Sequence, residues 1–184
     1  LDLSMSMPMR DNFLPAKKVA MALHHLISSQ FPRDYLGLVG FSETARVITA
    51  ADLPEVSWDF VYGTNMHHGF TLARQLLAKR SGTKQIIMIT DGKPSAVTLP
   101  NGEVYLNSGG LDPFILKETF QQVSACRKAG ILINTFMLAR DPYIVQFVRR
   151  VSEIARGKAY FTTPMTLGQY VLQDYLTNKT RTVH

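Results

Sequence analysis

Apolar positions along the chain follow two spacings. Val19, Leu23, Leu26 and Ile27 recur at helical intervals, as do Met66, Phe70, Ala73 and Leu77, then Leu116, Phe120 and Val123, then Ile144, Phe147, Val151 and Ile154. Between them lie short apolar runs at 35–41, 45–50, 85–90, 131–138 and 159–162. The run Gln85-Ile86-Ile87-Met88-Ile89-Thr90 is apolar on both alternating sets, as a central parallel strand is when helices cover both faces. Ser42-Glu43-Thr44 is too short for a crossover, so the first two runs form an antiparallel hairpin at the sheet edge. Asp112-Pro113 and Asp141-Pro142 each cap a helix that Gly130 or Gly157 stops, and Asp11 or Asn12 caps the first long helix, with Pro15 in its first turn. The pattern predicts an α/β, doubly wound, Rossmann-like three-layer sandwich with a mostly parallel central sheet and one antiparallel edge strand.

Two stretches depart from regular alternation. Val97-Thr98-Leu99 and Glu103-Val104-Tyr105 flank Pro100-Asn101-Gly102, so residues 93–111 read as a β-hairpin insertion leaving the central strand. Residues 51–62, with Pro54 and the single Trp58, read as a surface connection with a turn of helix and Trp58 as its packing anchor. One domain over residues 1–176 is expected, with a last helix at roughly 167–176 and a polar tail, 177–184, that frays.

Composition narrows the chemistry. A chain of 184 residues, 46% hydrophobic and 18% charged, has the length for a layered core. The single Cys126 excludes an internal disulfide and a cysteine zinc cluster; it reads as a small core residue, and points to a reducing, cytoplasmic setting. The formal charge is +6, but the basic residues are scattered in ones and twos, which argues for solvated helix faces rather than a nucleic-acid surface. No apolar run reaches the roughly 18 residues of a membrane span. His24 and His25 are adjacent on a helix and diverge by about 100°, so they do not chelate together.

The chemistry-bearing stretches are Asp2-Leu3-Ser4-Met5-Ser6, Gly63-Thr64-Asn65 at the head of a helix, and Thr90-Asp91-Gly92 at the carboxyl end of the central strand, where open α/β sheets bind ligands. Carboxylates with alcohols and no thiol or imidazole form a hard-oxygen set suited to Mg²⁺ or Mn²⁺. In order and spacing, Asp2, Ser4, Ser6, Thr64 and Asp91 resemble the metal-ion-dependent adhesion site of von Willebrand factor type A domains: D-x-S-x-S, then Thr, then Asp. The resemblance covers nearly the whole chain.

It implies that Ser4, Ser6 and Thr64 touch a Mg²⁺ or Mn²⁺ directly, with Asp2 and Asp91 mostly positioning waters and hydroxyls. Such a cation is poorly neutralised and takes an Asp or Glu from a protein partner. Met5, Asn65, His67, Gly92 and Lys93 would form the partner-binding rim. Among bacterial relatives the family implies work beside AAA+ ATPases, of the MoxR class or in magnesium-chelatase-like assemblies. Family members carry an apolar strand of about five residues before the first Asp, whereas here Leu1 alone precedes it, so the first strand reads as truncated and its neighbours as exposing unpaired edges. The competing reading is a Mg²⁺-dependent phosphohydrolase using Asp2 and Asp91. Ser4 stands where such an enzyme needs a general-acid carboxylate, and no phosphate-cradling glycine loop is present. A receiver domain would need an acidic pair that is absent.

Overall fold

The computed structural model describes residues 1–180. After α1 (Ser6–Met9) and α2 (Phe13–Gln30), the hairpin β1 (Leu38–Phe41) and β2 (Ala45–Ile48) pairs antiparallel, Leu38 opposite Ile48. A 3₁₀ turn at Leu53–Glu55 and an irregular stretch lead to α3 (Met66–Ala78). Next come β3 (Lys84–Thr90), the small antiparallel hairpin β4 (Ala96–Thr98) and β5 (Val104–Leu106), and α4 (Pro113–Lys128). β6 (Ile131–Met137), α5 (Pro142–Ala155), β7 (Ala159–Phe161) and α6 (Leu167–Thr180) complete the order. The strands β3, β6 and β7 form a parallel sheet in that order, with Ile86 opposite Ile133 and Ile89 opposite Phe136.

The α/β, Rossmann-like architecture is the expected one, but the sheet is divided. Residues 1–3 form a short stub between β1 and β3. Asp2 makes an isolated parallel bridge to Phe41 and donates its amide to Ile89 O at 3.0 Å, while Leu3 N donates to Phe41 O and Phe41 N to Leu1 O.

Helices cover both faces. Leu3, Ile89 and Phe136 pack with α2 and α6 on one side; Phe41, Met88, Ile133 and Met137 pack with α3, α4 and α5 on the other. Cys126 is fully buried in the second cluster, and burial pushes its thiol up to about 11, as befits a core residue. Trp58 meets Phe13 edge-on at 5.4 Å and anchors the irregular stretch.

Asp112, Asp141 and Gly130 act at helix ends as expected, and Gly157 does not. Asp112 Oδ1 accepts from the amides of Phe114 and Ile115, Asp141 Oδ1 from those of Tyr143 and Ile144, and each is followed by Pro at the first helical position. Gly130 ends α4 with φ +72. At the end of α5, however, the left-handed residue is Arg156, φ 56, and not Gly157. Gly157 serves a close approach instead: a Cβ there would lie 1.7 Å from Ile133 O.

The final helix extends past 176, to Thr180, because polar contacts fasten it. Asp174 accepts from Gln85, Asn134 and Tyr160, and Lys179 pairs with Asp34 at 2.5 Å. The rest of the expected frayed tail, residues 181–184, lies outside the described residues. Among the described residues no helix is long and apolar enough to cross a membrane.

Candidate metal centre

The stub carries Asp2 to the edge of the sheet, and the chain then turns into α1, presenting Ser4 and Ser6. Asp2 is fully buried: Oδ1 accepts from the Ser4 amide at 2.8 Å and Oδ2 from the Thr90 hydroxyl at 2.5 Å. Ser4 Oγ and Ser6 Oγ are 3.1 Å apart, and Ser6 Oγ donates to Asp91 Oδ1 at 2.7 Å. Asp91, also fully buried, follows β3 directly, as the expected strand end requires. Gly92 closes the circle. A Cβ placed on it would lie 3.3 Å from Thr64 Oγ1 and 3.7 Å from Asp2 Oδ2, so Thr64 and Asp2 face the same glycine. The five residues singled out in the sequence, drawn from three distant stretches, thus lie around one rim.

Three positioning side chains escaped the sequence reading. Asn12, one of the two expected helix caps, makes no side-chain cap bond; its Nδ2 instead donates to Asp91 Oδ2 at 2.9 Å. Asn12 reads as a cap because Asn favours that position, and nothing in the local pattern announces a partner 79 residues away. Thr90 holds Asp2, and Ser95 holds Thr64: Ser95 Oγ accepts from Thr64 N at 2.9 Å and Ser95 N donates to Thr64 O at 3.0 Å. That pair ties the β4–β5 hairpin to the site. Arg10, at the edge of the site, donates to the backbone oxygen of Asp91 at 3.1 Å.

The expected rim needs one correction. Asn65 is fully buried; its Oδ1 caps α3 by accepting from His68 N, and its Nδ2 donates to Glu43 O and Thr98 Oγ1, so it is scaffold with no surface to offer. His67 is half-buried near Glu118 of α4, and burial lowers its pKa despite that carboxylate. Lys93 donates to Ser108 O, while Met5 and Gly92 are partly exposed.

Asp2 illustrates the cost of this arrangement. Burial pushes its carboxyl up to about 6, the hydrogen bonds from Ser4 and Thr90 opposing this and the Asp91 charge adding to it. A folded-state pKa raised above the unfolded value means that protonation favours the fold. The metal-free protein should therefore lose about 2 to 3 kcal/mol of stability from this group as pH rises from about 4 to about 6. Urea titrations across that window check this, with Asp2→Asn expected to flatten the difference.

The donor set fits a hard dication. Among the described residues no group of three or more His, Cys, Asp or Glu gathers to hold a metal; the oxygens at this rim are two carboxylates and hydroxyls, a hard set of the kind Mg²⁺ or Mn²⁺ prefers. Two buried carboxylates share one rim, and Arg10 Nη1 lies 3.9 Å from Asp91 Oδ2.

Residues 1–176 match the family described as Rv0959-like protein, vWA domain. The chain belongs to the von Willebrand factor type A family. The Mycobacterium tuberculosis protein Rv0959 is 31% identical over 180 residues, covering 96% of this chain and 27% of its own length. An ATP-binding protein of Methanocaldococcus jannaschii, MJ0801, is 26% identical over 125 residues, covering 63% of this chain and 33% of its own. This von Willebrand factor A domain therefore spans about a quarter to a third of the length of these curated relatives. Among solved structures, a von Willebrand factor type A protein from Catenulispora acidiphila superposes with a TM-score of 0.64 at 17% identity, covering 91% of this chain and 38% of that one. Proximal thread matrix protein 1 from the mussel byssus, with a zinc-occupied MIDAS motif, gives a TM-score of 0.64 at 17% identity, covering 94% and 42%. These two likenesses show the shared fold.

Proposed function

We propose that this von Willebrand factor A domain is a metal-dependent protein-interaction module. It holds Mg²⁺ or Mn²⁺ among Asp2, Ser4, Ser6, Thr64 and Asp91 and takes an acidic side chain of a protein partner. The observation that carries this reading is the convergence of two fully buried carboxylates with the Ser4, Ser6 and Thr64 hydroxyls at one rim of the sheet. A bound dication would supply an electrophilic position for a carboxylate oxygen. The chain's own residues supply the rest: Ser4 N and Thr90 orient Asp2, Asn12 orients Asp91, and Ser95 fixes Thr64. The zinc-occupied motif of the byssus protein supports a metal role. The family resemblance and the ATP-binding description of the archaeal relative support an AAA+ ATPase assembly as the setting.

Binding is favoured over catalysis. Both oxygens of Asp2 are engaged in a fully buried position, which leaves it poorly disposed to attack a phosphorus centre.

Calorimetric titration with Mg²⁺ and Mn²⁺ tests the reading. Binding is expected in both cases, without phosphatase turnover, and Thr64→Val should weaken it about tenfold by removing one oxygen donor, a change of about 1.4 kcal/mol. Turnover that disappears with Asp2→Asn would replace this reading with the hydrolase one, and absence of binding by both cations would end it.

A further inference from the structure

Beside the five donors lies a surface that their grouping does not use. Arg10 has a side chain 57% exposed and spends one of its five N–H groups on Asp91 O. Next to it Met9 is 65% exposed, and across the stub Phe60 and Tyr62 are 79% and 65% exposed. Backbone bonds bring that segment alongside: Asp59 N donates to Leu3 O at 2.8 Å, and Met5 N, between the two serines, donates to Val61 O at 2.9 Å. Phe60 and Tyr62 flank Val61, and Phe60 rests edge-on against Trp58 at 6.1 Å. Exposed Met9 and Arg10 thus follow the run from Leu3 to Ser6, and exposed Phe60 and Tyr62 sit on the segment hydrogen-bonded to it, a surface unlike solvated helix faces.

We propose that Arg10, Met9, Phe60 and Tyr62 form the docking surface for the partner's acid-bearing segment, and that this segment carries large apolar residues beside its Asp or Glu. The inference rests on the metal-dependent reading above. Charge complementarity selects the acid: a dication offsets Asp2 and Asp91 by count, and Arg10 then leaves the rim positive. A guanidinium presents paired N–H groups that suit a carboxylate oxygen projecting from the metal position. The exposed rings and Met9 select what flanks the acid, because apolar neighbours gain by covering them.

The test uses the Mn²⁺-loaded protein and two carboxylates, acetate and 3-phenylpropionate, read by water-proton relaxation as each displaces Mn²⁺-bound water. Phenylpropionate should bind about fivefold or more tighter than acetate, because its ring covers apolar surface. Arg10→Ala should weaken both carboxylates about fivefold while raising Mn²⁺ affinity, since a nearby positive charge opposes the cation; Arg10→Lys should restore part of the loss. A merely structural role would not move the two affinities in opposite directions. The double variant Phe60→Ser, Tyr62→Ser should retain Mn²⁺ affinity and lose the preference for phenylpropionate. Carboxylate binding indifferent to Arg10→Ala, a preference that survives the double variant, or Mn²⁺ binding without carboxylate binding would each overturn the inference and leave the metal reading standing. Failure of the wild-type protein to bind Mn²⁺ removes both.

Discussion

Gly157→Ala is expected to cost about 4 kcal/mol or more, enough to leave a marginal domain unfolded. The added methyl would lie 1.7 Å from the carbonyl oxygen of Ile133, 2.5 Å from its carbon and 2.9 Å from Asn134 Oδ1. None of these is the end of a flexible side chain on the surface. Ile133 and Asn134 are buried in the middle of β6, and the chain entering β7 is pinned there, because Thr135 N donates to Lys158 O at 2.9 Å and Lys158 N to Asn134 Oδ1 at 2.8 Å. Relief would require β7 to leave β6, and with it the stacking of Tyr160 on Phe136 at 4.7 Å. Gly130→Ala is the control. It has φ +72 and nothing within 4 Å of the new atom, so it should cost only about 1 kcal/mol, from backbone conformation alone. Urea unfolding of the two variants beside the parent measures the difference; a Gly157 variant as stable as the Gly130 variant would show that β7 shifts freely.

Asp91→Asn should separate binding from stability. Cation affinity is expected to fall about a thousandfold, about 4 kcal/mol, because the site loses one of its two carboxylate charges and one oxygen donor at once. Metal-free stability should stay within about 1 kcal/mol of the parent or rise. The amide can keep the local bonds: its oxygen accepts from Asn12, as Asp91 Oδ2 does, and its nitrogen donates to the Ser6 hydroxyl, which is free to accept in place of donating. The exchange also removes a negative charge that raises the pKa of Asp2. Calorimetry with Mn²⁺ and thermal melts with and without the ion provide both readings. A variant that binds the ion as the parent does would remove Asp91 from the donor set.

Much of this was legible in the chain, and the limits have physical causes. Helices and parallel strands announced themselves because burial on one face or on both imposes a period on the sequence, as in Ile144, Phe147, Val151 and Ile154 or in the run 85–90. Asp112-Pro113 and Asp141-Pro142 were readable because a cap is a contact within four residues. The five residues proposed to hold a metal were singled out through their resemblance to the family's adhesion site. Their supporting shell was not, since Asn12 to Asp91 and Ser95 to Thr64 are contacts between distant segments, made by residue types common in caps and turns. Gly157 shows the same limit: a glycine after a helix suggests its stop, whereas here the constraint comes from β6 across the sheet. The length of α6 was underestimated because Asn178 and Lys179 look like a polar tail until Gln85 and Asp34 are seen opposite them.

The rim where three segments meet has a mechanical corollary. Thr64 precedes the helix that packs on the β1–β2 hairpin, Asp91 follows β3, and the run from Asp2 to Ser6 passes between them. An ion gripped by all three would act as a rivet through these segments. Tension that parted them would pull its ligands away from one another, so the grip on the ion and the resistance of the rim to shear would rise and fall together.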